Sequence, residues 1–416
     1  MATSDSRVVD PGTDRGKPGD QPDGPPRPST SELTARAADL APLLRANAER
    51  GERDRRVPEQ SIDALAEAGL FRLAVPRRYG GYETDMRTML DVAATVAESD
   101  GGTGWVISLC NVGAWVIGLF PEAAQDDVFA ADPDARVCGV LAPTAEVTRV
   151  PGGWRVTGRW YYNSGSLHSS WAVLGVPITD DAGTVVDQGA VLIPMSELTI
   201  EDTWFVAGMK SSGSNCVVAE DVFVPIHRFI SVPEAIDGTI DLARPDETLY
   251  RSAFVPMLSL ILVGPLLGLG RAALRHVTEK ASGKPVAYTF FDTQAESVAF
   301  QLQLTDAALL IDTGHLHAYR AAADIDETAA RGAYPDYFVR ARIRADTSYV
   351  AQKITHAIDV LMFAHGAASF ADVNPLQRIW RDAGAGARHA AVVPGVSYEV
   401  YGKALLGIDE KITPLV

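Results

Sequence analysis

Val147-Thr148-Arg149-Val150-Pro151-Gly152-Gly153-Trp154-Arg155-Val156-Thr157 is where the chain changes character. Residues of alternating character flank a Pro-Gly-Gly turn, the signature of a β-hairpin. Further β-rich runs follow at short spacing, Trp171–Val176, Ala190–Pro194 and Cys216–Val224, with Gly and Pro between them. Strands so punctuated predict a small barrel or sandwich, entered at Arg136 and ending near Val232.

Outward from this centre the text is helical on both sides. Toward the N-terminus, Ser29-Thr30-Ser31-Glu32 reads as a capping box, and Leu33, Ala37, Leu40 and Leu44 recur at helical spacing. A second helix runs from about Pro58, with Ile62, Leu65 and Ala66 inward, and stops at Gly69. A third helical region covers Met86 to Phe120, interrupted near Asp100-Gly101-Gly102-Thr103-Gly104. Toward the C-terminus, helices are expected over 248–283, 289–325, 335–367, 375–388 and 396–410, lengths that suit a bundle. The fold class is therefore mainly α with a central β domain. The expected division is a disordered tail over 1–30, a helical domain over 31–135, a β-barrel domain over 136–235 and a helical bundle over 236–416. Half the tail is Pro, Gly or Asp, too little apolar surface to offset the entropy of ordering.

Composition narrows the function. The chain has 416 residues, 47% of them hydrophobic and 22% charged, and a net charge of −16. No basic stripe is available for phosphate backbones, which argues against nucleic acid. Cys110, Cys138 and Cys216 are scattered, with no C-x-x-C or Cys/His cluster, so neither a disulfide framework nor a metal site is expected. The N-terminus lacks a signal-peptide core, and the apolar stretch Phe254–Leu269 is broken by Pro256, Ser259, Gly264, Pro265 and Gly268. A cytoplasmic protein with no membrane span is the expectation.

Three small-residue loops could present N–H groups and hydroxyls to a flat polar ring or a phosphate. They are Cys138-Gly139-Val140-Leu141-Ala142-Pro143, Tyr161-Tyr162-Asn163-Ser164-Gly165-Ser166 and Gly208-Met209-Lys210-Ser211-Ser212-Gly213-Ser214-Asn215. Each alone is more often only a turn. No G-x-G-x-x-G after a strand and no Walker loop occurs, so Rossmann-type dinucleotide binding has no support.

Late in the chain, Arg381-Asp382-Ala383-Gly384-Ala385-Gly386-Ala387-Arg388-His389 follows a helical stretch and precedes Pro394. Read by itself, His389 is a helix-capping histidine or an acid–base group. Of the others, His168 is expected at a strand edge facing solvent. His315, His317, His356 and His365 lie in bundle helices without a convincing metal-ligand set.

Six pieces in order carry a resemblance. They are Pro76-Arg77-Arg78-Tyr79-Gly80-Gly81; Gly101-Gly102-Thr103-Gly104-Trp105; Gly158-Arg159-Trp160 with Asn163-Ser164-Gly165; Trp204 through Gly208–Ser214; Asp221-Val222-Phe223-Val224-Pro225; and Gln377-Arg378-Ile379-Trp380-Arg381-Asp382 leading to Arg388-His389. Over residues about 30–416 the chain resembles the acyl-CoA dehydrogenase fold: N-terminal helical domain, small β-barrel, C-terminal four-helix bundle. Within that fold it is similar to the oxygenase components of two-component flavin-dependent monooxygenases related to p-hydroxyphenylacetate hydroxylase.

The resemblance implies reduced flavin (FMNH2 or FADH2) supplied by a separate NAD(P)H-dependent reductase, with O2 as co-substrate. A flavin C4a-hydroperoxide would hydroxylate an aromatic or polyketide-like small molecule. By similarity Ser164 stands beside flavin N5, with Gly165 and Ser166 adjacent. Leu141, Ala142 and Pro143 would lie along the pyrimidine side, and Ser212, Gly213 and Ser214 at the ring edge or phosphate. Trp105 would line the cavity, and Asn111 stands where relatives often carry a substrate-binding histidine. His389, with Arg388 beside it, would either accept the proton of a phenol-like substrate or donate a hydrogen bond to the peroxide. Lys280–Asp292 lacks obvious signals for gripping the adenine half of FAD, which leans toward FMN or loosely held FAD. A homotetramer, a dimer of dimers, is implied too. The rivals are an acyl-CoA dehydrogenase, an N-oxygenase of an amine or amino sugar, and a non-enzymatic binding module. A dehydrogenase needs a carboxylate base where His389 stands.

Overall fold

The computed structural model describes residues 27–180, 182 and 184–416. Most of the expected tail, residues 1–26, lies outside the described residues. The first helix among the described residues is α1 (Thr30–Asp39): Ser29 accepts the Glu32 N–H while the Glu32 carboxylate accepts the Ser29 N–H, a true capping box. The helix breaks at Leu40, and α2 (Ala41–Asp54) follows with Pro42 in its first turn. Next come α3 (Glu59–Glu67), α4 (Met86–Ala97), α5 (Gly101–Ile117) and α6 (Glu122–Phe129). The expected interruption at 100–104 is narrower than its glycines suggest. Asp100 caps α5 by accepting the Thr103 N–H at 2.8 Å and the Thr103 hydroxyl at 2.6 Å, so the Gly-rich residues form the helix's first turn.

Among the described residues eight strands follow: β1 (Val137–Val140), β2 (Ala145–Val150), β3 (Gly153–Asn163), β4 (Trp171–Thr179), β5 (Val185–Pro194), β6 (Thr199–Glu201), β7 (Asn215–Pro225) and β8 (Phe229–Ser231). They form two four-stranded sheets, β1-β4-β5-β8 and β2-β3-β7-β6. The quoted hairpin is β2 and β3, antiparallel, with Val150 opposite Gly153. The stretch 138–140, read as loop, is instead the end of β1, which pairs in parallel with β4. A four-residue strand paired with one more than 30 residues away leaves no local alternation to detect. Cys138, Val156, Trp160, Leu174, Val191, Ile193, Val217 and Val224 fill the space between the sheets. The Trp160 indole N–H reaches across to the Gly175 carbonyl at 2.8 Å.

The chain then enters α7 (Val232–Asp237), α8 (Phe254–Leu260), α9 (Val263–Lys280), α10 (Val298–Ala330), α11 (Tyr337–His365), α12 (Pro375–Gly386) and α13 (Pro394–Leu406). The helix expected from 289 starts only at Val298, where Ser297 caps it. The expected single helix over 248–283 is broken before Phe254 and again between α8 and α9. The run 254–283 is long and apolar enough to cross a membrane by composition, contrary to the expectation from its Pro and Gly breaks. Most of it is buried among α4, α5 and α11, so it serves as core. Through α9 the N-terminal helices and the bundle share one hydrophobic interior.

Candidate active site

Two of the three small-residue loops meet. The turn Ser164–Ser166 leaves β3 through Gly165 at φ +75°, and loop 208–214 enters β7. The Gly165 N–H donates to the Ser212 carbonyl at 2.9 Å, and the Ser166 hydroxyl donates to the Gly213 carbonyl at 3.2 Å. Between these braces runs a row of buried hydroxyls: Ser164 Oγ to Ser214 Oγ is 2.8 Å, and Ser214 Oγ to Ser212 Oγ is 2.7 Å. The row ends on α5, where the Trp105 indole N–H donates to Ser164 Oγ at 3.0 Å. Indole only donates, so Ser164 is an acceptor in that contact.

The other face of Trp105 meets His389. Their ring centroids are 6.1 Å apart and the planes tilt by 55°. His389 lies just beyond α12 and heads a short turn, its Nδ1 accepting the Ala391 N–H at 3.2 Å. With Nδ1 an acceptor, the neutral ring carries its proton on Nε2. The outer edge of the ring is exposed, yet the protein packed around the rest of it pulls its pKa below the ordinary imidazole value. The ring is therefore neutral at pH 7 and able to donate through Nε2–H.

Other expected residues fall elsewhere. Leu141, Ala142 and Pro143 follow β1; Leu141 is half-buried, with its carbonyl held by the Gln188 amide at 2.8 Å, and the other two are exposed. No hydrogen bond joins them to the serine loops among the described residues. Asn111, expected at the substrate, is engaged by backbone groups. It is fully buried, accepts the Leu73 N–H at 3.1 Å and donates to the Leu70 and Ile107 carbonyls, both at 2.9 Å. Its amide ties α5 to the chain after α3. Arg388 is exposed and turns back to the Gly384 carbonyl at 2.5 Å. His168 is buried rather than solvent-facing, its pKa pulled down to about 4 by burial and by Arg56 and Arg136. Among the described residues no group of three or more His, Cys, Asp or Glu side chains could hold a metal ion.

Reading the sequence missed Asp382, Asp100, Met209 and Ser211, which brace the site from behind. The signal was present: one carboxylate in an otherwise small and apolar run, Ala383-Gly384-Ala385-Gly386-Ala387, on a helix with a buried face. Asp382 is also a carboxylate only seven residues before His389, where a dehydrogenase base would stand. It is buried and accepts the Met209 N–H at 2.6 Å.

The donor set fits a neutral heteroaromatic ring such as flavin. Hydroxyls, an indole N–H and a neutral imidazole converge with no charged side chain among them, and Lys210 is turned away toward Glu52 at 3.7 Å. Comparison with known proteins agrees. Residues 34–130 match the acyl-CoA dehydrogenase N-terminal domain and residues 260–394 its C-terminal domain. The chain is 36% identical over 372 residues to the flavin-dependent monooxygenase oxygenase subunit HsaA of Rhodococcus jostii, covering 89% of this chain and 97% of that one. It is 29% identical to the oxygenase component of the FADH2-dependent resorcinol hydroxylase of a Rhizobium species, covering 91% and 95%. The structure of XiaF from a Streptomyces species, in complex with FADH2 and glycerol, superposes with a TM-score of 0.89 at 37% identity, covering 92% of this chain and 97% of that one.

Proposed function

This chain belongs to the oxygenase subunits of flavin-dependent monooxygenases built on the acyl-CoA dehydrogenase fold, and from that premise we propose that it hydroxylates an aromatic, phenol-like small molecule. It takes reduced flavin, FMNH2 or FADH2, from a separate NAD(P)H-dependent reductase and uses O2 as co-substrate. Bound reduced flavin supplies the activation of oxygen; the protein supplies position, dryness and proton control.

The observation that carries this reading is the continuous path His389, Trp105, Ser164, Ser214, Ser212, which puts a neutral imidazole at one end of a buried hydroxyl row. Ser164, with Ser214 behind it and Trp105 beside it, holds the proton at the flavin ring edge while the buried surroundings exclude water. His389 offers its Nε2–H to the oxygen being transferred or to the substrate hydroxyl. Because Nδ1 is engaged by Ala391, donation is the role its geometry favours over proton abstraction. Leu141, Ala142 and Pro143 would serve the pyrimidine side of the bound ring. The dehydrogenase reading lacks a base, since Asp382 is enclosed and engaged.

The working unit is a homotetramer, a dimer of dimers. Val298, Leu302, Leu309 and Leu316 form an exposed apolar stripe along α10 at helical spacing, a surface suited to a second helix. Placement in the cytoplasm accords with an NAD(P)H-dependent partner.

Rapid mixing of protein, reduced FMN or FADH2 and oxygen, without substrate, tests the reading. A lag between oxygen uptake and the return of oxidised-flavin absorbance is expected. Immediate return with stoichiometric H2O2 would overturn it.

A further inference from the structure

Asp382 lies inside α12, 5% exposed, and meets two other elements there. Its Oδ1 accepts the Met209 N–H at 2.6 Å, and a Cβ on Gly101, the first residue of α5, would lie 3.0 Å from its Oδ2. Across that first turn, Asp100 accepts the Ser211 hydroxyl at 3.2 Å while capping α5. Loop 208–214 is thus held at residue 209 by one buried carboxyl and at residue 211 by another. The approach requires glycine at 208, where a Cβ would fall 2.0 Å from the Arg381 carbonyl oxygen.

The three elements so joined carry most of the candidate site, with Ser164 added from the turn after β3. Trp105 stands on α5, Ser212 and Ser214 on the loop, and His389 follows α12 by three residues. Trp105 meets the hydroxyl row and the imidazole directly, and the connection behind them ties together the elements that carry those contacts. A buried carboxyl facing a second one is unfavourable unless each has partners. Here each has them, and the positive charges of Arg378 and Arg381 on α12 further favour the carboxylate form of Asp382.

We propose that Asp382 is the positioning residue of this site: by accepting the Met209 N–H it holds loop 208–214 against α5 and α12, so that Trp105, the serine row and His389 share one geometry. The inference rests on the flavin-site reading for its consequence, though not for its structural content, and the test separates the two. Hydrogen exchange is measured on the flavin-free full chain in peptides spanning 203–216, and reduced-FMN binding is titrated in parallel. For Asp382→Ala, exchange of the 208–214 amides accelerates about 10-fold and reduced FMN binds about 10-fold more weakly, the loss of one buried hydrogen bond. Exchange in α10 and α11 stays unchanged. Asp382→Asn keeps an acceptor of the same shape and restores both quantities to within about twofold of wild type.

Loop exchange unaltered by Asp382→Ala, or an asparagine variant as damaged as the alanine one, overturns the proposal. Should the alanine variant not fold, Asp382→Ser, whose hydroxyl is too short to reach Met209, takes its place with the same expectations. A wild type that binds neither reduced FMN nor reduced FAD sinks the functional reading, and the exchange result still decides the role of Asp382.

Discussion

The serine loops and the His389 turn face each other across Trp105 and are built in opposite ways. Ser164, Ser166, Ser212 and Ser214 are buried, braced by backbone hydrogen bonds and backed by two carboxyls. His389 sits on an exposed turn anchored by backbone bonds to Gly386 and Val392, and its side chain is held by one 3.2 Å contact to Ala391 and a tilted ring contact to Trp105. Groups that must keep a hydrogen-bond pattern against water gain from burial, because a low local dielectric strengthens every contact. A group that must meet an incoming substrate gains from a looser seat. The wall is rigid and the acid–base end is adjustable.

The sharpest way to break this comparison is at the adjustable end. His389→Ala should lower product formation roughly 100- to 10,000-fold, the range for one positioned acid–base group, while flavin affinity and Tm stay near wild type. Product per O2 consumed is the measurement, and a variant within threefold of wild type would remove the imidazole from the reaction.

On the rigid side, burial and Asp100 push the Asp382 pKa up to about 7 from 3.8. Between those values the folded chain holds a proton that the unfolded chain has released, so this group makes stability fall as pH rises from about 4 to about 7, then level off. Asp382→Asn removes the effect. Urea unfolding at pH 5, 6, 7 and 8 should show the variant gaining on wild type by a few kcal/mol across that window. Parallel curves would mean the carboxyl is ionised throughout.

Ser164→Ala leaves the Trp105 N–H without its acceptor, so a loss of roughly 1–3 kcal/mol in stability is expected together with weaker reduced-flavin binding. Equal affinity for reduced flavin in wild type and variant would detach the row from the cofactor. The smallest effect on chemistry belongs to Asn111→Ala. Its three backbone hydrogen bonds make it destabilising by roughly 1–3 kcal/mol, while KM for substrate stays unchanged. A raised KM at full stability would return Asn111 to the substrate pocket.

Much of the fold was legible because its signals are local. The Ser29–Glu32 box, the Pro151-Gly152-Gly153 turn and the long periodic runs of α10 and α11 each declare themselves within a few residues. Short β1, β6 and β8 carry too few residues to show a period, and their pairing partners lie far along the chain. The site was legible in part. Ser164, Ser212, Ser214, Trp105 and His389 were named from their motifs, and the structure brings them together. Asn111 and His168 were misplaced because a polar residue looks the same in sequence whether its partners are backbone groups or a ligand.

Taken alone, residue order determined the helix–strand–helix succession and which small or polar residues were available for chemistry, since caps, turns and periodicity act over a few residues. Only the tertiary structure decided which of those residues work together. Trp105 reaches Ser164 across 59 positions and Met209 reaches Asp382 across 173, and contacts so distant in the chain exist only once α5, the β sheets and α12 have packed.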